Sequence, residues 1–314
     1  RRARAEAMLR YALGRLLGIV PTLLVIVTAA FFVMRLAPGG PFDEEQAIPP
    51  EIEANLQAAY GLDQPVLVQY GRYLQGLAHG DLGPSFKYKD YRVSELIARG
   101  LPVTLTIGSL ALLLALALGV PLGMSAALRH DTARDHAVMT LALAGIAIPG
   151  FVLAPVLALF FGVKLGWLPV AGWEPGSVRH LILPVITLAL PFVAYIARLT
   201  RASLLEVLQA SYLRAARAKG LARSALLRRH ALKPMLLPVV SFLGPAAAAL
   251  LTGSLVVEQV FGLPGVGRYF VQGAVNRDYT LVMGMVIFYA ALILLLNLAV
   301  DLLYGWLDPR IRHG

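Results

Sequence analysis

The sequence predicts an all-α membrane protein with six transmembrane helices and both termini on the cytoplasmic side. The 314 residues are 58% hydrophobic and 15% charged, with a mean hydropathy of +0.70, whereas soluble domains carry about 25% charged residues. Six uncharged stretches approach or exceed the roughly 20 residues that span a hydrocarbon core of about 30 Å. Lysine and arginine concentrate in alternate segments between these stretches, which sets the orientation.

The predicted spans are separated by charged or glycine-rich segments and lie at 16–34, 100–128, 137–163, 181–197, 234–257 and 279–300. The fourth is the shortest, but it can continue past Arg198 because a long arginine side chain reaches back toward the interface. The first resembles a signal peptide. It is too long for one, and no small-residue cleavage site follows it, so we expect a retained helix.

Proline recurs inside the spans, at Pro121, Pro149, Pro155, Pro184, Pro191 and Pro245. In lipid, a proline frees a backbone carbonyl that neighbouring helices or water must satisfy. Kinked helices suit a bundle that opens and closes, but proline is also simply commoner in membrane helices than in soluble ones. Both interpretations stay open for any single proline.

The distribution of basic residues gives the orientation. With the N-terminus inside, the segments on the cytoplasmic side hold 18 of the 28 lysines and arginines, and these segments are 1–15, 129–136, 198–233 and 310–314. Because basic residues concentrate on the cytoplasmic side of membrane proteins, this assignment follows. The even number of spans then places both termini in the cytoplasm.

Composition also excludes several kinds of site. The formal net charge of +10 is not arranged as a nucleic-acid binder would arrange it, and the hydropathy argues against that class. The chain has no cysteine, so disulfides and thiol catalysis are excluded. Its six histidines are scattered without a ligand-like spacing. We therefore predict no catalytic residue, metal site or cofactor on this chain.

Three regions follow from the spans: an N-terminal tail and first helix at 1–36, an extracytoplasmic helical subdomain at 37–99, and a five-helix core at 100–314 that includes a cytoplasmic segment at 203–235. Within the subdomain, one helical pattern starts at Pro49-Pro50 and stops at Gly61. A second, with Leu67, Tyr70, Leu74 and Leu77, stops at Gly80. Proline at a start and glycine just past an end are ordinary helix punctuation.

The most basic stretch of the chain is 212–238, and its cations are Arg214, Arg217, Lys219, Arg223, Arg228, Arg229 and Lys233. Helical propensity on both sides of Gly220 predicts two short helices with a corner at that glycine, which permits a left-handed turn. The alanines Ala215, Ala216 and Ala218 would let another backbone approach closely. From the residues alone, three interpretations stay open: a loop that only fixes topology, an interfacial helix that binds anionic lipid, and a docking surface for a cytoplasmic partner.

Acidic residues mark the ends of the last two spans. Glu258 lies where the fifth span meets the outside, and Asp278 lies where the sixth begins. Either can line the outer mouth of a pathway, and either can equally cap a helix or form a salt bridge. Asp301, at the inner end of the last span, is expected to anchor the helix by pairing with an arginine such as Arg310.

The stretch 212–238 resembles the cytoplasmic EAA loop of ABC importer permeases, with Ala215 and Ala216 as the small pair, Gly220 as the glycine and Leu237-Pro238 at the end. It departs from the general motif at Arg214, which stands in place of a glutamate, and in its longer gap before the Leu-Pro. The core ARAKG is similar to the dipeptide and oligopeptide branch. Six further stretches resemble B-type subunits of bacterial oligopeptide permeases. They are RLAPGGPF (35–42), LAHGDLGPSFKYKDY (77–91), RHALKPMLLP (229–238), TGSLVVEQVFGLPGVG (252–267), NRDY (276–279) and LDPRIR (307–312).

The resemblance implies a type I importer permease in the bacterial inner membrane, with no enzymatic activity of its own. It implies as partners a second, C-type permease subunit, two ATPase subunits that carry ATP and magnesium, and an external peptide-binding protein, with the bilayer around the spans. It also implies that Ala215, Ala216 and Gly220 contact an ATPase, flanked by Arg217 and Lys219. Arg214 lies beside them, but a glutamate-type contact cannot be transferred to it.

Rival functions differ in the features they require. A permease for dipeptides, nickel or another small solute differs in substrate rather than in mechanism. An intramembrane enzyme needs a nucleophile with a base, and Ser109, Ser241 and Ser254 have no histidine on a neighbouring turn. A channel or carrier without ATPase subunits would be favoured by internal inverted repeats, which the sequence does not show to inspection.

Overall fold

The computed structural model describes residues 2–36, 57–58, 61–88 and 90–307, and it is helical almost throughout this part of the chain. Five helices are long: α1 (Arg2–Leu36), α3 (Val93–Leu128), α6 (Val178–Gln209), α9 (Leu232–Val260) and α11 (Tyr279–Leu307). The shorter ones are α2 (Val66–Ala78), α4 (Ala133–Ala147), α5 (Gly150–Leu157), α7 (Ser211–Ala218), α8 (Arg223–Leu226) and α10 (Val266–Val275). Two π-helical segments, Ala158–Lys164 after α5 and Leu227–Ala231 after α8, extend these elements.

The long helices supply five candidate spans, which are Gly14–Leu36, Val93–Leu128, Val178–Gln209, Ser224–Val260 and Tyr279–Leu302. The sixth is a bent pair, because α4 and the stretch Gly150–Lys164 together pass the same length and hydropathy test. The predicted helical fold with six spans is therefore confirmed. An even number of spans also places the described ends of the chain on the same side of the membrane.

The predicted third span, 137–163, is broken. Its two halves meet at an angle of 99°. The break falls at Ile148, whose ψ of 115° is extended rather than helical. Pro149 is the physical reason, because the proline ring disfavours the helical conformation of the residue before it. Prolines within α3 and α6 leave those helices continuous.

Helices α3 and α6 pack along a row of small residues at the centre of the fold. Ala111, Ala115, Gly119 and Gly123 are all buried and recur every four residues along α3. A Cβ atom on Gly123 would overlap the carbonyl oxygen of Ala197. Small residues at such positions let two backbones approach closely, and this close approach holds membrane helices together in the absence of a hydrophobic driving force.

Helix α1 lies at the periphery against α11. Near its inner end, Arg15 forms an ion pair with Asp301 (Nη2 to Oδ2, 3.2 Å). The expected anchoring of Asp301 by an arginine is therefore observed with Arg15, whereas Arg310 lies outside the described residues. Near its outer end, the Thr28 hydroxyl lies 2.6 Å from the Tyr70 hydroxyl of α2.

The second predicted helix of the subdomain is present as α2, and the glycine predicted to end it, Gly80, has a φ of 76°. The first predicted helix, from Pro49 to Gly61, lies mostly outside the described residues. The division of the chain into 1–36, 37–99 and 100–314 stays a prediction.

Candidate functional site

The basic stretch at 212–238 is fixed to the cytoplasmic end of the bundle by buried leucines. Leu213 of α7 and Leu226 of α8 are each 1% exposed. They belong to a cluster, here called the inner cluster, of Ala127, Leu204, Leu213, Leu226, Ala231 and Met235. Because this cluster includes residues of α3, α6 and α9, α7 and α8 are packed against the spans rather than extended into solvent.

Gly220 forms the predicted corner between α7 and α8. Its φ is +80°, a left-handed conformation that glycine adopts without steric cost. Its N–H donates to the Arg217 carbonyl (3.0 Å), and the N–H of Leu221 donates to the Ala216 carbonyl (3.4 Å). These two bonds are the Schellman arrangement that terminates a helix and satisfies its last carbonyls. The predicted corner is therefore built by local backbone bonding.

The two alanines of the small pair face different ways. Ala216 packs against the inner cluster, whereas Ala215 is exposed, together with Arg214, Arg217 and Lys219. Within the described residues, no ion pair is formed by these three cations, and no acidic residue occurs between 207 and 257. The exposed side of α7, here called the basic face, is thus an uncompensated positive surface on a buried hydrophobic anchor.

Glu258 is buried and caps α10. One carboxylate oxygen accepts from the N–H groups of Gly267 (2.8 Å) and Arg268 (3.3 Å), and the other accepts from the Thr104 hydroxyl (2.7 Å). Thr104 in turn accepts from the N–H of Val266 (2.9 Å). A carboxylate at a helix N-terminus satisfies otherwise unpaired N–H groups. This geometry supports the capping alternative.

Asp278 is also buried, and it ties an extracytoplasmic loop to α11. Oδ1 accepts from the N–H of Leu281 in the first turn (3.0 Å). Oδ2 accepts from the Ser85 hydroxyl (2.5 Å) and from the N–H groups of Phe86 (3.0 Å) and Lys87 (3.2 Å). Both carboxylates predicted at the outer mouth therefore have 0% exposure within this chain, and their lining of a pathway stays a prediction.

The same loop makes a second contact with the outer helix. The Tyr88 hydroxyl donates to the side-chain oxygen of Gln272 on α10. Burial raises the pKa of the Tyr88 hydroxyl above its ordinary value, so the group remains protonated and able to donate. Residues 85–88 of the GPSFKYKDY run are thus held on α10 and on the residue that precedes α11.

Sequence reasoning missed a buried ion pair at the inner side. Asp135, at 1% exposure, accepts two bonds from the Arg201 guanidinium (2.5 and 2.7 Å). His130 lies 3.1 Å from the same carboxylate. The pair fixes the start of α4 to the inner end of α6, next to the segment at 203–235. The sequence feature that could have indicated this pair is the acidic residue Asp135 in the predicted cytoplasmic segment 129–136.

Comparison with known proteins identifies the type of chain that carries these features. A family model described as the binding-protein-dependent transport system inner membrane component matches residues 119–313. A second model, for the N-terminal part of such membrane components, matches residues 8–108. Together the two matches cover most of the chain.

Curated relatives match over nearly the full length. The oligopeptide transport system permease protein OppB of Salmonella typhimurium is 50% identical over 306 residues, covering 98% of this chain and 100% of that protein. OppB of Haemophilus influenzae is 49% identical with the same coverage. The dipeptide transport system permease protein DppB of Bacillus subtilis is 43% identical, covering 97% of this chain and 98% of that protein.

A solved structure shares the fold. A chain of the inward-facing MetNI methionine ABC transporter superposes with a TM-score of 0.55 at 21% identity, covering 68% of this chain and 97% of that chain. At this identity the likeness shows the fold alone, which is that of an ABC importer permease.

Proposed function

Because this chain belongs to the family of binding-protein-dependent transport system inner membrane components, we propose that it is the membrane-spanning permease subunit of an ATP-driven oligopeptide importer. The observation that carries the proposal is the 50% identity to an oligopeptide permease over 98% of the chain. As a permease subunit in the inner membrane, the chain transports without covalent chemistry of its own.

The proposed assembly contains a second, C-type permease subunit, two ATPase subunits and an external peptide-binding protein. Each permease forms half of the pathway, and ATP with magnesium binds to the ATPase subunits. The 314 residues contain no GxxxxGK[ST] phosphate-binding loop, which supports placing nucleotide binding on partners. Within the described residues, no group of acidic or histidine side chains has a metal-binding arrangement.

The basic face, with Arg214, Ala215, Arg217 and Lys219, is the proposed contact with an ATPase subunit. Its cations are exposed and uncompensated in this chain, so an acidic partner surface would complement them. Ala216 and Gly220 support the contact indirectly, because Ala216 packs inward and Gly220 sets the angle between α7 and α8.

Chain continuity suggests how motion of the ATPases reaches the spans. Helix α7 follows α6 after Ala210 alone. On its other side, α8 runs through a π-helical segment directly into α9. A displacement of α7 and α8 therefore acts on two spans at once, through two short connections and the inner cluster. Alternation between outward-facing and inward-facing states is the proposed consequence.

The test uses charge reversal on the basic face. Arg217→Glu combined with Lys219→Glu is expected to weaken recovery of the ATPase subunits with the purified chain by at least about tenfold, since like charges across an interface cost several kcal/mol. Arg134→Glu is the matched control, because Arg134 is exposed on the same side but lies in the first turn of α4, outside the basic face. Equal recovery from both variants would contradict the docking proposal.

Substrate class is tested separately by uptake. Vesicles that contain the full transporter and its binding protein are expected to import trialanine when ATP is supplied on the ATPase side. The relative from Bacillus subtilis makes dipeptides the runner-up substrate, so dialanine is supplied as a competitor. Uptake of dialanine with no uptake of trialanine would assign this chain to the dipeptide branch instead. ATP-independent uptake would favour the channel or carrier class.

A further inference from the structure

A cavity of about 330 Å³ lies between α1, α2, the outer end of α11 and the loop at 81–86. It is here called the outer cavity. The side chains that matter for its chemistry are those of Phe31 and Arg35 from α1 and of Gln69, Arg72 and Tyr73 from α2. The outer cavity lies on the opposite side of the membrane from the basic face, and the proposed contact with an ATPase makes no use of it.

Two buried polar atoms of the lining have no hydrogen-bond partner. Gln69 is 9% exposed, and its Nε2 donates to the carbonyls of Leu62 (3.0 Å) and Gln64 (2.7 Å), whereas Oε1 accepts no bond. The Tyr73 hydroxyl is also buried without a partner. Four such side-chain atoms occur in the part of the chain that the structure describes, and two of them belong to this cavity. Because buried polar atoms are normally hydrogen-bonded, the lining suits a ligand that both donates and accepts.

The outer cavity also carries excess positive charge. Arg35 is half-buried, and its Cζ lies 5.2 Å from the centroid of the Phe31 ring. Arg72 is exposed. Neither arginine forms an ion pair within the described residues. The acidic residue of the lining, Asp81, is already paired with Arg92 (Oδ2 to Nη1, 2.7 Å), so the complementary ligand is an anion.

Arg35 lies at the level of the lipid headgroups. It is the last residue but one of the candidate span Gly14–Leu36, whose 23 residues extend about 35 Å at about 1.5 Å per residue. The hydrocarbon core is about 30 Å thick, so the outer end of this span reaches the interface. Helix α2 packs against the same end, because the hydroxyls of Tyr70 and Thr28 lie 2.6 Å apart. The outer cavity is therefore placed at the outer membrane surface.

Apolar side chains are exposed directly beside this lining. Leu36, which follows Arg35, is 82% exposed, and Leu67 in the first turn of α2 is 73% exposed. Apolar residues on a helix that lies in the membrane interface contact the acyl chains of the lipid. The tyrosines of α2, Tyr70 and Tyr73, are of the residue type that is enriched at this level. An amphiphilic ligand would therefore contact polar and apolar groups together.

We propose that the outer cavity binds the headgroup of an anionic phospholipid of the outer leaflet whose headgroup carries hydroxyl groups, as in phosphatidylglycerol. The phosphate accepts hydrogen bonds from Arg35 and Arg72, because guanidinium groups match phosphate oxygens in geometry and charge. A headgroup hydroxyl donates to Gln69 Oε1, and the Tyr73 hydroxyl donates to a headgroup oxygen. The bound lipid fastens α2 to α1.

The charge of the lining selects among lipids. An ethanolamine headgroup also donates to an acceptor such as Gln69 Oε1, but its ammonium adds a positive charge beside the two guanidinium groups. Like charges at close range repel, whereas a hydroxyl donates without this cost. We therefore expect phosphatidylglycerol to bind more tightly than phosphatidylethanolamine.

The test measures lipid bound to the assembled transporter. The transporter is delipidated in detergent, titrated with phosphatidylglycerol and examined by native mass spectrometry. The unsubstituted transporter is expected to hold a phosphatidylglycerol molecule on each copy of this chain more tightly than the lipids around it. Arg35→Gln combined with Arg72→Gln is expected to weaken this binding at least about tenfold, since charge-assisted bonds to phosphate are lost.

Arg99→Gln is the matched control. Arg99 is exposed at the outer side of α3, and its Cζ lies 4.6 Å from the centroid of the Tyr91 ring, so it resembles Arg35 in its contact with an aromatic ring. It does not line the outer cavity. Phosphatidylglycerol is expected to bind this variant as tightly as it binds the unsubstituted transporter.

Tyr73→Phe keeps the test decisive if the double variant fails to fold. The hydroxyl has no partner in the chain, so its removal breaks no intramolecular hydrogen bond and relieves the cost of an unsatisfied buried group. The melting temperature of the delipidated transporter is expected to stay the same or rise. Phosphatidylglycerol binding is expected to weaken by at least about threefold, because a bond to the headgroup is lost.

Equal phosphatidylglycerol binding by the unsubstituted transporter and both lining variants would overturn the proposal. Equal binding of phosphatidylethanolamine would also overturn it. Displacement of the lipid by an equal concentration of glycerol 1-phosphate would assign the cavity to a soluble phosphate ester instead, since that molecule lacks the acyl chains. Displacement by trialanine would make the cavity a peptide subsite. The measurement requires neither ATP nor transport, so its failure leaves the proposed function intact.

Discussion

Asp278→Ala is the substitution that most directly tests how the outer loop is held. The carboxylate accepts four hydrogen bonds, three of them from the loop at 85–87 and one from Leu281. The Ser85 hydroxyl can rotate to another acceptor, and water can reach the half-buried N–H groups of the loop. The N–H of Leu281 is buried and is left without its acceptor.

A buried donor left unsatisfied costs about 1 to 3 kcal/mol, and a hydrogen bond to a charged group contributes about 1.5 to 3 kcal/mol. With partial compensation by water, we expect a loss of roughly 2 to 4 kcal/mol of stability. At about 2 to 4 °C per kcal/mol, the conversion for domains of about 150 to 250 residues, the melting temperature falls by roughly 4 to 16 °C.

The assay is thermal unfolding of the detergent-solubilised transporter, with Asp63→Ala as the control. Asp63 is an exposed carboxylate on the same side of the membrane, and its side chain accepts only from Gln64 in the described contacts. The control is expected to change the melting temperature by less than 2 °C, since exposed substitutions cost within about 0.5 kcal/mol. Equal shifts for the two variants would refute the inference that Asp278 holds the loop.

Four further substitutions test the packing and the inner side. Arg201→Ala is expected to cost about 3 to 5 kcal/mol, because it leaves the buried Asp135 carboxylate without its partner. Asp135→Ala is expected to cost less, because the Arg201 side chain is 24% exposed and water can reach it. The double variant should cost less than the sum of the two in a double-mutant cycle. Gly123→Val is expected to abolish recovery of folded protein, since its side chain would overlap the α6 backbone; Gly150→Ala, with open space around it, should leave recovery unchanged. Gly220→Ala is expected to cost about 1 to 2 kcal/mol through its left-handed conformation alone and to lower ATP-driven uptake. Full uptake would show that the corner angle does not matter for coupling.

The features that the sequence predicted well are those written in local patterns. Hydropathy located the six spans, and the corner at Gly220 followed from one glycine between two helical stretches. The helix end at Gly80 is of the same kind. Each of these features depends on a few consecutive residues, so it can be predicted from the local sequence without knowing the rest of the fold.

The break in the third span could not be located from proline alone. Pro149 ends α4, whereas Pro184 and Pro191 lie within the continuous helix α6. In lipid, neighbouring helices can satisfy the carbonyl that a proline frees, so the outcome depends on tertiary contacts. The order of residues shows where each proline lies along the chain, but it does not show which helices pack against that proline.

The roles of the buried charges depended on distant partners. Glu258 bonds to Thr104, which is 154 positions away, and Asp278 bonds to Ser85, which is 193 positions away. Asp135 and Arg201 are 66 positions apart. The sequence identified Glu258 and Asp278 as notable because they are acidic residues at span ends, but only the fold shows that they are satisfied internally.

Site-specific photo-cross-linking from the basic face tests the central claim most directly. A photoreactive amino acid is placed at Arg217 and, in a separate control, at Arg134, and the complete transporter is irradiated in membranes. We predict a cross-link from position 217 to an ATPase subunit and none from position 134. Cross-links from position 217 to lipid alone, in a transporter that still couples ATP to peptide uptake, would contradict the claim that this segment joins the permease to its ATPase.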